Sequence, residues 1–146
     1  MDLIYLDNCC FNRPYDDQFQ DRIVIETEAK LMIQEKIKKG GLRLAWSFML
    51  DLENRENTDP VKMDEIYRWA TLSEVYFLGS EKTGSIATTL HTIGIKKKDS
   101  IHLACAIESG CDFFLTTDDG IIKKGKLVEE IRIMNPADYI IHIGEN

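Results

Sequence analysis

Acids stand just after two strand-like runs: Asp7-Asn8 follows Leu3-Ile4-Tyr5-Leu6, and Asp118-Asp119 follows the stretch DFFLTT. Two further acids belong to helical segments. Glu53 lies three and four residues beyond Leu50 and Met49 and so prolongs their apolar face. Asp51 and Glu56 are the alternatives, on an exposed face. Asp99 heads DSIHLACAIESG, whose face continues through Leu103 and Ala106. An ordinary N-cap is the competing explanation there, and turn preference competes for Asp7 and Asp118. His102, on the face of Asp99, reads as a packing or supporting residue rather than a ligand. Taken together, four carboxylates at one rim repel one another unless something cationic sits among them. Oxygen-only donors favour a hard cation, one or two Mg²⁺ or Mn²⁺ ions. Such ions can ionise a water, orient a phosphodiester and stabilise its leaving oxygen. No Ser, Cys or His nucleophile motif competes with that chemistry.

The elements that must position these acids alternate in type. Leu3 to Leu6 predicts a buried strand, followed by a loop over Asn8 to Asp17 with Pro14 inside it. Phe19, Ile23, Ile33 and Ile37 predict a helix from about Phe19 to Lys39, stopped by Gly40-Gly41. Leu42 to Trp46 predicts a second strand, with Ser47 capping a helix to about Arg55. Asp59-Pro60 opens another helix, with Ile66, Trp69 and Ala70 on its apolar face. Glu74 to Leu78 is a third strand, and Ser80 caps a helix that ends near Gly94. Lys98 to Ser109 is helical, Asp112 to Thr117 is a fourth strand, and Ile131 to Met134 is a short fifth before Asn135-Pro136. Alternation of this kind predicts a three-layer α/β/α sandwich with a central parallel sheet. In such sheets ligands bind beyond the carboxyl ends of the strands, at the switch in strand order. A 3-2-1-4-5 order would put Asp7 and Asp118 on one rim.

The 146 residues suit one domain, 1–146, large enough for its own core. With 44% hydrophobic and 29% charged residues the composition is globular rather than disordered. A net charge of −7 argues against nucleic-acid binding by bulk charge, but leaves room for a local basic patch or a metal ion. Cys9, Cys10, Cys105 and Cys111 form no Cys-x-x-Cys pair and read as free, mostly buried thiols of a reducing, cytoplasmic compartment. No apolar run approaches the ~18 residues of a membrane span, and Leu3 to Leu6 is too short and wrongly flanked for a signal peptide.

At IYLDN, SFMLDLE, KDSIHLACA and FFLTTDD the chain resembles the PIN-domain family of metal-dependent nucleases, many of them VapC-like toxins of toxin–antitoxin pairs. The resemblance runs over nearly the whole chain. It implies that Asp7, Glu53, Asp99 and Asp118 are the catalytic and metal-holding acids, with Glu53 binding metal or positioning the water. It places Thr116 as the Thr of Thr-x-Asp and Asn8 as the polar neighbour of the first acid. Asp119 could replace or supplement Asp118. The implied activity is Mg²⁺- or Mn²⁺-dependent cleavage of single-stranded RNA, with a cognate antitoxin and a homodimer as expected partners. The loop CCFNRPYDD is longer than the generic start of the family.

Basic residues near these acids could guide RNA: Arg13, Lys96-Lys97-Lys98, and Lys123, Lys124 and Lys126, with Asn8, Arg13, Thr116 and Lys98 as candidate substrate contacts. A solvated surface is the competing explanation for the lysine runs. Phe11 and Tyr15 could stack on bases, though packing competes for both. A haloacid-dehalogenase-type phosphatase would need a second Asp where Cys9 stands. A receiver domain would need an acidic pair at Asp7-Asn8. Gly120 to Lys126 matches G-x-x-x-x-G-K, but Leu127 replaces the Ser/Thr of a phosphate-binding loop. The rival from another class is a PIN-like module that binds RNA or protein without cutting.

Overall fold

The computed structural model describes residues 1–144. Five parallel strands form one sheet in the order β3-β2-β1-β4-β5: β1 Leu3–Leu6, β2 Arg43–Ser47, β3 Val75–Phe77, β4 Phe113–Leu115 and β5 Arg132–Met134. The order predicted from the sequence is the order found. Tyr5 of β1 pairs with Ala45 on one side and Phe114 on the other. β1 is central and buried at every residue, which is why it reads as an unbroken apolar run rather than an alternating one. The direction of strand order reverses between β1 and β4, so the carboxyl ends of these two strands mark the switch point.

Among the described residues eight α-helices complete the layers: α1 Asn8–Asn12, α2 Asp21–Lys38, α3 Phe48–Arg55, α4 Pro60–Tyr67, α5 Thr83–Thr92, α6 Lys97–Glu108, α7 Asp119–Gly125 and α8 Pro136–Gly144. α2 packs on α8 and α5 on α6. The core runs along the sheet through Ile4, Leu6, Leu44, Trp46 and Phe114, with Tyr5 stacked on Phe114 at 5.3 Å between ring centres. All four cysteines are free thiols, and only Cys9 is partly exposed. Among the described residues no helix is long and apolar enough to cross a membrane.

Three expectations are corrected, and one further helix joins them. The stretch Asn8 to Asp17 is not a loop: it folds as α1 followed by a 3₁₀ turn over Arg13–Tyr15. The Asp7 side chain caps α1, burial of Cys10 and Phe11 holds it, and Pro14 fits the start of the tighter turn. α2 begins at Asp21, and Phe19 is 97% exposed in the preceding turn, where its N–H donates to Asp17 Oδ1. Ser80 caps the turn before α5 rather than the helix itself, accepting from the Lys82 N–H. After β5 the chain forms α8, in which Asn135 Oδ1 accepts from the Ala137 N–H and Pro136 takes the first position.

Candidate functional site

The carboxyl ends of β1 and β4 bring two acids together through one hydroxyl. The Asp7 N–H continues the ladder to Leu115 O at 2.9 Å. Its Oδ1 accepts the Asn8 N–H at 2.8 Å, and its Oδ2 accepts the Thr116 hydroxyl at 2.9 Å. Thr116 Oγ1 in turn accepts the Asp118 N–H at 3.1 Å. Thr116 is fully buried, so it orients both acids and does not face a substrate. Asp118 caps α7, its Oδ1 accepting the N–H groups of Gly120 and Ile121 at 2.8 and 3.2 Å.

Asp99 does not cap α6. It lies in the first turn, with Lys96 at the cap position, and its carboxylate accepts no hydrogen bond among the described residues. It faces Asp118 across a cleft of about 60 Å³ that Lys96 and Lys124 also line. Burial first, then the charges of Asp7 and Asp118, push the Asp99 carboxyl up to about 6. Glu53 also adds to this repulsion, while His102 opposes it. The four acids therefore act on one another at a single rim.

Among the acids of α3, Glu53 is the one at the rim. Asp51 is held by the Trp46 indole N–H at 2.8 Å and by the Tyr76 hydroxyl, while Glu56 is exposed and lies 3.9 Å from Lys98. Glu53 Oε1 lies 2.8 Å from Nε2 of the fully buried His102, whose Nε2 is 4.0 Å from Asp7 Oδ1. Burial alone would raise the Glu53 carboxyl, but the hydrogen bond and charge of His102 and the charge of Lys98 bring it below its ordinary value. For His102 burial disfavours the charged ring, yet the bond to Glu53 and the surrounding carboxylates outweigh that and raise it.

The remaining candidates separate. Both Asp119 oxygens are taken by Arg22, at 2.7 and 2.9 Å, on the exposed side of α7. That pair holds Asp119 below its ordinary value and directs it away from the cleft. Arg13 is bound to Glu26 at 2.7 Å and to Asp16 at 3.1 Å, which makes it an anchor of the α1–α2 connection. Lys98 is exposed beside Glu56, while Lys124 reaches over the cleft to Gly94 O at 2.5 Å. Asn8 sits beside Asp7 with its side-chain oxygen buried and without a donor among the described residues. Phe11 is buried against Trp46 and unavailable to a base.

Sequence reasoning did not find Arg22, Tyr5 or Cys9, and read Ser47 only as a helix cap. Arg22 secures the Thr117–Asp119 turn by also donating to Thr117 O at 2.8 Å. Tyr5 and Ser47 lie behind His102. Cys9 Sγ is 3.5 Å from both Asp7 Oδ2 and Thr116 Oγ1. His102 and Ser47 carried signals, the one by its place on the face of Asp99 and the other as a cap.

A divalent cation fits this donor set in its chemistry. Carboxylate oxygens predominate at the rim, one carboxyl is pushed up by burial and by its neighbours, and the Asn8 oxygen is an acceptor without a donor among the described residues. In the geometry described, no three His, Cys, Asp or Glu side chains converge closely enough to hold an ion.

No protein-family model matches the chain, and no curated protein matches it significantly in sequence. Solved structures do match it in fold, two of them over nearly their whole length. One is FitAcB from Neisseria gonorrhoeae, at 16% identity over 91% of this chain and 97% of that one, with a TM-score of 0.58. The other is VapBC2 from Rickettsia felis, bound to a DNA fragment from their promoter. It matches at 16% identity over 91% of this chain and 98% of that one, with a TM-score of 0.57. The likeness spans both chains almost end to end and gives this chain the PIN-like α/β/α fold.

Proposed function

We propose that the protein is a metal-dependent endoribonuclease that hydrolyses phosphodiester bonds of single-stranded RNA and serves as the toxin of a toxin–antitoxin pair. One observation carries this reading: Asp7 and Asp118 follow β1 and β4 at the switch point of the sheet, and burial together with the charges of Asp7, Asp118 and Glu53 raises the Asp99 carboxyl across the cleft. The likeness to FitAcB and VapBC2 supports the toxin assignment and an antitoxin as partner.

On this reading Asp7, Asp99 and Asp118 would hold one or two Mg²⁺ or Mn²⁺ ions, with the Asn8 oxygen beside them. Such an ion would supply positive charge for the phosphodiester and for a water nucleophile at neutral pH. Glu53, held by His102, would accept a hydrogen bond from the attacking water and orient it. Thr116 fixes the angle between Asp7 and Asp118. Lys96 and Lys124 neutralise phosphate on the cleft wall, which lets an anionic strand approach a chain of net charge −7.

Incubation of the purified protein with a mixed single-stranded RNA pool, in Mn²⁺, Mg²⁺ or EDTA, tests the reading beside an Asp7→Asn variant. Cutting that needs the metal and is lost in the variant is the expected result. A folded protein that neither binds metal nor cuts would instead be a non-catalytic binding module.

A further inference from the structure

We propose that Ser47, Tyr5 and His102 form a relay whose task is to fix the Glu53 carboxylate toward the other three acids, making them positioning residues of the site. The inference takes Glu53 as a working member of the site and in that respect rests on the reading above. A line of four polar side chains crosses the core. Ser47 Oγ is 2.6 Å from Tyr5 Oη, Tyr5 Oη is 2.6 Å from His102 Nδ1, and His102 Nε2 is 2.8 Å from Glu53 Oε1. Ser47, Tyr5 and His102 are each completely buried. They come from the end of β2, the middle of β1 and the second turn of α6, and they close on α3.

Stability does not account for such a line. Buried polar groups are tolerated when every one is paired, but apolar side chains of the same shape would serve the core as well or better. The proton count shows what the line does. With a neutral ring, Ser47 donates to Tyr5, Tyr5 donates to Nδ1, and the Nε2–H donates to Glu53. With a charged ring, the Nδ1–H donates to Tyr5 and Tyr5 donates to Ser47, while the Nε2–H still donates to Glu53. The Nε2–H donates to Glu53 in both arrangements, so Glu53 stays held whichever form the ring takes. The other end is anchored by the Leu50 N–H, which donates to Ser47 Oγ at 3.3 Å in the first turn of the helix that carries Glu53. The relay thus returns to α3 and fixes the carboxylate against its own helix.

Tyr5→Phe is the informative variant, because it removes one oxygen and keeps the ring that stacks on Phe114. His102→Ala would open a buried hole and confuse folding with function. Protein labelled with ¹⁵N-histidine is examined by NMR as wild type, Tyr5→Phe and Glu53→Gln, with His102→Gln to assign the ring, and the same proteins are assayed on RNA. In the wild type the His102 ring N–H is expected to be shielded from solvent exchange and to shift in both variants. In Tyr5→Phe, kcat is expected to fall about 10- to 100-fold, as for other residues that orient metal-site groups, with KM for RNA unchanged. An unshielded ring N–H, or one that neither variant moves, overturns the relay whether or not the protein cuts RNA. A moved resonance with wild-type kcat in Tyr5→Phe overturns the positioning role. If the wild type cuts no RNA, the nuclease reading fails separately and the resonance alone decides the relay.

Discussion

Asp99→Asn should make the metal-free protein more stable, and only above a defined pH. The Asp99 carboxyl is pushed up to about 6, first by burial and then by Asp7 and Asp118, from an ordinary value of 3.8. A raised acid favours folding while it is protonated. That contribution is complete below the unfolded value and is lost as pH rises from about 4 through 6. A rise of two units corresponds to about 3 kcal/mol, but Asp99 is half open to solvent, and screening reduces this to about 1 kcal/mol. For a chain of this length 1 kcal/mol moves Tm by about 2–4 °C. Thermal unfolding of wild type and variant in EDTA, at half-unit steps from pH 4 to pH 8, reads the difference directly. The two curves should meet near pH 4, diverge to pH 6 and run parallel above pH 7, with the variant higher. Mn²⁺ should close the gap by stabilising the wild type more. A variant equally stable or less stable at every pH would refute the crowding of acids at this rim.

Asp118→Asn should abolish metal-dependent cleavage while Asp119→Asn leaves most of it, since Arg22 holds Asp119 away from the cleft; parallel gel assays with one RNA separate the two. Glu26 is 2% exposed and accepts from Arg13, Arg22 and Asn135, so Glu26→Gln should cost about 3 kcal/mol by leaving two guanidinium groups without their shared carboxylate. A urea midpoint unchanged from wild type would contradict that. Gly125→Ala should lower Tm by several degrees, because an added Cβ would lie 2.7 Å from Ile133 Cδ1 where α7 crosses β5.

The sheet was legible because its central strands are buried on both faces. Leu3 to Leu6 and Phe113 to Leu115 carry unbroken apolar runs, and the acids that follow them fall where a parallel sheet binds ligands. Ser47 was legible as a cap for a local reason, its hydroxyl accepting the Leu50 N–H. α1 was not, because five residues show no helical period and the helix exists through the Asp7 cap and the burial of Cys10 and Phe11. α8 left a signal in Asn135-Pro136 that reads equally as a turn. Of the site, the four acids could be read from position and family pattern, but the choice of Glu53 over Asp51 depended on tertiary partners. Trp46 and Tyr76 take Asp51, and His102 takes Glu53. Arg13 looked available in sequence and is consumed by Glu26, a buried acid that no local pattern announces.

The four acids are not equivalent, and the difference ranks them as candidates for contact with the proposed ion. Asp7 and Asp118 are set in place by capping: backbone N–H groups neutralise part of their charge and fix their direction. Glu53 is neutralised in the same sense by the Nε2–H of His102. Asp99 alone has no hydrogen-bond donor among the described residues, and it bears the repulsion of the other three. An arriving cation therefore relieves more at Asp99 than at any acid already compensated by the fold. Calorimetric titration of Mn²⁺ into Asp7→Asn, Glu53→Gln, Asp99→Asn and Asp118→Asn should show the largest loss of affinity in Asp99→Asn, although that variant is the most stable of the four without metal. A larger loss in Asp118→Asn or Glu53→Gln would mean that the compensated acids carry the ion, and that the crowding at Asp99 has another cause.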